Sequence, residues 1–276
     1  MVMKIALIGY GRMGREIERL ALAAGDEVVL KITVDNLQDL TQENLRKADV
    51  AIEFSQPAAA VDNIRLAVQA GVPIVVGTTG WLAQLPEVEA LVAERGGAVL
   101  HASNFSLGVN VFFAAARQLG NLLGQHGDYE AGVEEIHHTG KLDAPSGTAI
   151  TLAERFADGH PNYASWELTK VTSPVEHQAI APPELGHVVW GGGPKRKSGA
   201  EASGKSSEKS TPVPIESVRE EGVPGTHVLR VGNHIDTIEL KHTAHSREGF
   251  AQGALAAARW LPGKTGVFTM ADVLGI

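Results

Sequence analysis

The sequence contains no cysteine. That excludes disulfides, thiolate catalysis and cysteine-based metal sites, and it fits a reducing cytoplasm. Basic charge is also scarce. Lys and Arg number 24 against 32 Asp and Glu, giving a net charge of −8, so a general nucleic-acid surface is not expected. No apolar run approaches the ~20 residues of a membrane span. The first residues, MVMKIALIGYG, run straight into a strand. Their apolar run is short and broken by glycine, so they do not read as a secretion signal. The expectation is a cytoplasmic protein with neither nucleic acid nor membrane as a partner. A chain of 276 residues suits two domains, and 43% hydrophobic content supports a core.

An acidic protein that binds an anion must gather its positive charge locally. One stretch does so: Glu134-Glu135-Ile136-His137-His138-Thr139-Gly140-Lys141-Leu142-Asp143-Ala144-Pro145-Ser146-Gly147-Thr148-Ala149. Two imidazoles and an amine precede a Pro-Ser-Gly-Thr turn, and a helical pattern follows through Ile150, Leu152, Ala153 and Phe156. Ser146 is a good N-cap and Pro145 presets the turn. The amides of Ser146, Gly147 and Thr148 would then sit at a helix N-terminus, where anions bind. The stretch describes a pocket for a small anionic molecule with proton donors beside it. A metal site using both histidines is not expected, because neighbours on a strand point to opposite faces.

The N-terminal part has a different logic. Lys4 to Ile8 is an apolar run suited to a buried parallel strand. It leads into Gly9-Tyr10-Gly11-Arg12-Met13-Gly14, a G-x-G-x-x-G, and then a helical pattern through Ile17, Leu20, Ala21 and Ala24. Gly9 would make the tight turn, Gly11 would let backbone approach a pyrophosphate, and Gly14 would let helix and strand pack closely. A second strand, Glu27 to Val34, ends at Asp35, placed to accept from the adenosine ribose hydroxyls. Asp35 would repel a 2′-phosphate, so NADH is favoured; Arg12 keeps NADPH possible. Strands at Val50 to Phe54, Val72 to Val76 and Ala98 to His101 alternate with helices at Pro57 to Ala70 and Pro86 to Arg95. This is βαβ repetition, and ligands lie at the carboxyl ends of such strands. Gly77-Thr78-Thr79 and Ala102-Ser103-Asn104-Phe105 fall there and suit the nicotinamide ribose and carboxamide.

From Ser106 the pattern changes. Ser106 to Gly124 reads as one helix, and Glu130 to Ile136 as a strand that delivers the central stretch. After a helix at Ala149 to Ala157 the periodicity is lost, and a Gly/Ser/Lys-rich tract runs from Gly191 to Thr211, expected to be a solvated loop. Ile215 to Arg219, His227 to Val231 and Asp236 to His242 read as an antiparallel sheet, making the second domain α+β. A helix from Arg247 to Trp260 and a short segment from Met270 to Leu274 could pack back on the first domain.

The chain resembles the 4-hydroxy-tetrahydrodipicolinate (dihydrodipicolinate) reductase family. His-His-x-x-Lys-x-Asp-Ala-Pro-Ser-Gly-Thr-Ala at His137 to Ala149 is similar to that family's signature. So, in order, are Gly11 to Gly14, Gly77 to Gly80, Asn104 to Asn110 and Val223 to His227. The resemblance spans nearly the whole chain. It implies an α/β protein with a Rossmann-type nucleotide domain at 1–106, closed by C-terminal helices at 246–276. A substrate-binding domain at 107–245 would carry an open mixed sheet that builds a homotetramer. It implies NAD(P)H-dependent reduction of a cyclic dicarboxylate. By position His137 would be the acid/base, Lys141 the proton donor, His138 a carboxylate ligand, and Gly147 with Thr148 a backbone cradle. Gly9 to Gly14, Asp35, Gly77 to Thr79 and Ala102 to Phe105 would hold the cofactor. The glycine loop is one residue shorter than in many members, and the tract from Pro174 to Pro212 is longer. The rival reading is another Rossmann amino-acid or semialdehyde dehydrogenase, which shares the N-terminal signals but gives no reason for His137 to Thr148.

Overall fold

A computed structural model describes residues 2–126, 128–172, 211–246 and 248–276. The Gly/Ser/Lys-rich tract lies outside the described residues as far as Ser210. The chain forms two compact units, Met1–Asn110 with Arg247–Ile276, and Val111–Ser246.

The first unit is built on a parallel sheet. Its strands are β1 (Lys4–Ile8), β2 (Glu27–Ile32), β3 (Val50–Glu53), β4 (Ile74–Val76), β5 (Ala98–His101) and β11 (Gly266–Phe268), in the order β11-β5-β4-β3-β1-β2. The helices are α1 (Arg12–Ala23), α2 (Gln42–Leu45), α3 (Pro57–Ala70), α4 (Leu85–Arg95) and α7 (Glu248–Trp260), with α8 (Met270–Leu274) at the end. Strand side chains alternate between two cores, which is why these strands are apolar without interruption. Ile5, Leu7, Val50, Ile52, Val75 and Leu100 join α1 and α7 in one core. Ala6, Ile8, Ala51, Ile74, Val76 and Val99 join α3 and α4 in the other. The sheet runs from β1 outward to β2 on one side and to β3 on the other. The crevice at that reversal lies where β1 meets β3.

The C-terminal segment belongs to this unit. Arg19 of α1 pairs with Glu248 of α7, and Asp26 with Arg259. Strand β11, absent from the sequence reading, pairs in parallel with β5 at Val267↔Val99. Three residues, one of them glycine, are too few to show alternation.

The second unit carries a mixed sheet of β6 (Glu130–His137), β7 (Tyr163–Thr172), β8 (Thr211–Arg219), β9 (Thr226–Gly232) and β10 (Thr237–Thr243), in the order β10-β9-β6-β8-β7. Helix α6 (Gly147–Gly159) covers one face with Leu152, Ala153 and Phe156 buried. The opposite face carries the ion pairs of Arg230 with Glu134 and Glu239. Helix α5 (Leu107–Leu123) bridges the boundary in sequence. The expected antiparallel run of three late strands needs correction. β9 and β10 are antiparallel neighbours, but β8 is parallel to β6 and β7, and β6 lies between β8 and β9. A turn such as Val223 to Thr226 reads the same whether its strands touch or straddle a third. β7 went unseen because most of its residues are exposed, which erases the alternation.

Glycine spacing in α7 gives a direct test. A Cβ at Gly253 would lie 1.7 Å from the Phe105 carbonyl oxygen, whereas one at Gly249 finds only Ser106 Oγ at 3.7 Å. Glycine to alanine within a helix ordinarily stabilises by roughly 0.5–1 kcal/mol. Gly249→Ala should be neutral or stabilising, whereas Gly253→Ala should cost about 1–3 kcal/mol through overpacking. Denaturant unfolding of both variants measures the contrast; equal stabilities would contradict the packing described.

Candidate active site

The carboxyl ends of the first sheet gather the residues that the sequence assigns to a dinucleotide. Gly9 has φ +94°, and a Cβ there would sit 2.1 Å from the Phe54 carbonyl oxygen, so the turn after β1 presses on the end of β3. A Cβ on Gly14 would lie 2.5 Å from the Gly9 oxygen, which fixes how closely α1 packs on its own loop. Gly11 faces open space, with nothing within 4 Å of a Cβ. Helix α1 starts at Arg12 without a side-chain cap, so its first amides remain available to an anion. Arg12 is exposed, while Met13 is partly buried against the core. Tyr10 hydrogen-bonds Glu18, and Lys31 and Arg15 lie 5.2 and 5.7 Å from its ring centre.

Asp35 follows β2, exposed and without a side-chain partner among the described residues. The turn there is made by Asn36, whose Oδ1 accepts from the Thr33 amide at 2.7 Å. Gly77, Thr78 and Thr79 follow β4. The Thr78 hydroxyl accepts from the Ser55 amide at 2.8 Å, so that side chain is already engaged within the fold. After β5, Ala102 and Ser103 lie at the same edge, Asn104 Oδ1 accepts from the Ser106 amide at 2.9 Å, and Phe105 is buried in the core against Phe54. Contacts from Phe105 to a cofactor can come only from its backbone. An open Gly11 position, free first-turn amides and an unpartnered carboxylate after β2 fit an adenine dinucleotide.

The second unit folds the central stretch around Glu135. In β6, Val133, Glu135 and His137 share the face under α6, and β8 sets Ser217 opposite Glu135 and Arg219 opposite His137. β9 sets His227 opposite Glu135 from the other side. Glu135 has no exposed surface. Its Oε2 accepts from the Ser146 amide at 3.0 Å and its Oε1 from the Ser217 hydroxyl at 2.7 Å, with both Arg219 terminal nitrogens at 3.5 Å. Arg219 also donates to the carbonyls of Lys141 at 3.3 Å and Asp143 at 2.7 Å, which pins the loop between β6 and α6. Burial alone would raise the Glu135 carboxyl, but the nearby His137 ring and the hydrogens offered by Ser146 and Ser217 outweigh it and hold the group ionised far below the usual carboxylate range.

His137 is buried, with Nδ1 3.4 Å from Glu135 Oε2. Nδ1 makes no hydrogen bond among the described residues, so this contact is electrostatic. Its other nitrogen faces Gly225, where a Cβ would intrude to 3.1 Å. The His227 ring meets His137 edge-on at 5.0 Å, and its Nε2 lies 3.1 Å from the Ser146 hydroxyl. Burial first, then the neighbouring His137 charge, push His227 down to about 3. Lys141 adds to that depression and pairs through Nζ with both Asp143 oxygens at 2.8 and 2.9 Å. His138 is exposed, and its carbonyl accepts from the Lys141 amide at 3.0 Å.

One expectation is corrected. The Ser146 amide does not face an incoming anion, because Glu135 already takes it. Ser146 instead caps α6 through its hydroxyl, accepting from the Ala149 amide at 3.2 Å. The anion cradle is left to the first turn beyond it, where Gly147 is exposed and Thr148 half-buried. Glu135, Ser217, Arg219 and His227 were not among the candidates read from sequence. Their signal was parity: each is polar at an inward position of a strand whose inward neighbours, Val133, Ile215 and Leu229, are apolar. Among the described residues Glu135, His137 and His227 could enclose a metal ion, their ligand atoms lying within 4.8 Å of one another. With both Glu135 oxygens engaged by protein donors, the group reads as a hydrogen-bonded charge network.

The chain matches the family described as dihydrodipicolinate reductase, N-terminus, over residues 3–105, and dihydrodipicolinate reductase, C-terminus, over residues 108–274. It is 39% identical to a 4-hydroxy-tetrahydrodipicolinate reductase of Christiangramia forsetii, covering 99% of this chain and 98% of the relative. It is 33% identical to the protein of that name from Methanoculleus marisnigri, over the full length of both. A dipicolinate-bound dihydrodipicolinate reductase from Paenisporosarcina sp. TG-14 shares the fold, with TM-score 0.73, 22% identity and 99% of each chain covered.

The buried His227 predicts a pH dependence of stability. In the unfolded chain it takes up a proton below about 6.5, whereas in the fold it does so only near 3. The unfolded state therefore binds more protons in that window, so His227's contribution is complete above about 6.5 and declines as pH falls. Thermal unfolding of wild type and His227→Gln from pH ~4 to ~7 should show a shallower decline in the variant; parallel curves would refute the neutral burial.

Proposed function

Because the chain belongs to the dihydrodipicolinate reductase family, we propose that it works as the family's reductase with the residues named above in definite roles. The reaction is the NAD(P)H-dependent reduction of 4-hydroxy-tetrahydrodipicolinate to tetrahydrodipicolinate in lysine and diaminopimelate biosynthesis. Hydride and one proton are consumed and water leaves. The observation that carries the reading is that the stretch from His137 to Ser146 meets at Glu135: the His137 ring at 3.4 Å, the Ser146 amide at the start of α6 at 3.0 Å, and Lys141, its backbone held by Arg219, with its charge acting on His227. A doubly charged substrate needs two anion sites, and these residues offer them. The dipicolinate named with the related structure is a dicarboxylate of the same kind.

The first unit would hold the cofactor through Gly9, Gly11, the first amides of α1 at Arg12 to Gly14, Asp35 on the ribose, and backbone at Gly77 to Thr79 and Ala102 to Phe105. A nicotinamide dinucleotide, when bound, supplies the hydride. The rest falls to this chain. His138 and the Gly147 and Thr148 amides grip carboxylates, and much of the acceleration comes from that positioning. Lys141, released from Asp143 by the arriving anion, or His137 delivers the proton, a step typically worth ~10²–10⁴-fold. Asp35 favours NADH, with NADPH also used. The chain would act in the cytoplasm as a homotetramer assembled through the second unit's sheet, whose face away from α6 carries the charged pairs of Arg230.

A coupled assay with the preceding synthase, fed pyruvate and aspartate semialdehyde, should show NADH oxidation; activity on an amino acid or semialdehyde instead would favour the rival dehydrogenase reading. Lys141→Ala and His137→Ala should each lose roughly 10²-fold in kcat with smaller changes in KM. His138→Ala should chiefly raise KM. Full kcat in Lys141→Ala would remove its role as proton donor. Separately, kcat/KM should be higher with NADH than with NADPH, and Asp35→Ala should narrow the gap; a preference for NADPH in wild type would contradict the reading of Asp35.

A further inference from the structure

The His137 ring, the start of α6 and, through Arg219, the loop between them all meet one side chain that the proposed chemistry does not use. Glu135 lies beneath the loop, wholly enclosed, and an enclosed carboxylate is costly unless its surroundings supply compensating donors. The donors here are not arbitrary. Ser146 caps α6 just before the Gly147–Thr148 cradle, Arg219 holds the carbonyls on either side of Leu142, and His137 is the proposed acid/base. We propose that Glu135 is a positioning residue. Its carboxylate turns the His137 ring so that Nδ1 carries the proton toward it and Nε2 stays on the edge beside Gly225, and through the Ser146 amide it ties that ring to the start of α6.

The geometry has two halves. Nδ1 of His137 lies 3.4 Å from Oε2, the same oxygen that takes the Ser146 amide at 3.0 Å. One oxygen thus lies against both the imidazole and the cap residue of α6, which couples the placement of the two. Oε1 is anchored separately by Ser217 at 2.7 Å and by Arg219 at 3.5 Å, so the carboxylate plane cannot swing. A negative charge at Nδ1 favours a proton on that nitrogen and stabilises the imidazolium once Nε2 gains its own. The charged and titratable groups around Glu135 are His137 on its own strand, Lys141 and Asp143 in the loop, Arg219 on β8 and His227 on β9, with His242 of β10 acting on His227.

This role rests on reading His137 as the acid/base, and the test separates the two. Ring-¹⁵N histidine is incorporated into wild type, and the His137 signals are assigned by their loss in His137→Gln. Neutral His137 should be the Nδ1–H tautomer. An Nε2–H tautomer in wild type would overturn the proposal, and this readout needs neither turnover nor a fragile variant. In Glu135→Gln, which keeps the shape without the charge, the His137 signals should move toward the Nε2–H form. There kcat should drop by ~10²-fold, the scale of one acid–base contribution. KM should change far less, and the NADH dissociation constant should hold, because NADH is held by the other unit. The kcat–pH profile should also shift. A folded Glu135→Gln with wild-type tautomer, kcat and pH profile would sink the idea. Full turnover in His137→Gln alongside an Nδ1–H wild type would discard the acid/base reading and leave the ring placement standing.

Discussion

Glu135 is an ionised carboxylate with no exposed surface, and the second unit is arranged so that this is tolerable. Its donors come from two directions, the N-terminus of α6 and strand β8, with the imidazoles of β6 and β9 close by at 3.4 and 3.8 Å. Removing a single donor would leave charge uncompensated in a low-dielectric interior, where the penalty is steep. The network therefore acts as a joint. The sheet order, with β6 between β8 and β9, is what allows polar groups to reach one carboxylate from both sides of its strand. A hairpin arrangement of β8 and β9 would have left Glu135 at an edge.

The first unit works by another principle. Its ligand edge is shaped mainly by the absence of side chains, at Gly9, Gly11 and Gly14, and by backbone groups that helix geometry leaves unsatisfied. Side chains at that edge are mostly occupied in holding the loops: Thr78 with Ser55, Asn104 with Ser106, Phe105 with the core. Under the proposed function, the first unit would meet its ligand mainly with amides, and the second would add charged groups to the amides of α6. That division matches a cofactor recognised by its phosphates and a substrate recognised by its carboxylates.

What sequence could reveal follows from how local each signal is. The strand, glycine loop and helix from Lys4 to Ala23 are contiguous, so their periodicities can be read directly. His137, Lys141 and Ser146 are likewise legible because one short segment carries them. Ser217, Arg219 and His227 are remote from Glu135 in sequence, and only strand pairing brings them to it. Even then the clue existed in the inward parity of polar residues on otherwise apolar strands. The engagement of the Ser146 amide could not be foreseen, since it depends on which acid lies beneath it. β7 and β11 escaped for opposite reasons, one too exposed and the other too short to display a period.

The pairing of β11 with β5 has a consequence in time. Val99 of an early strand waits for Val267, so the nucleotide half cannot close its sheet until nearly all of the chain has emerged and the intervening half has had its chance to fold. Contacts of such long sequence separation form late and slowly. Until then β5 offers a bare edge to any passing strand. Nascent chains stalled before residue 266 would carry that unpaired rim.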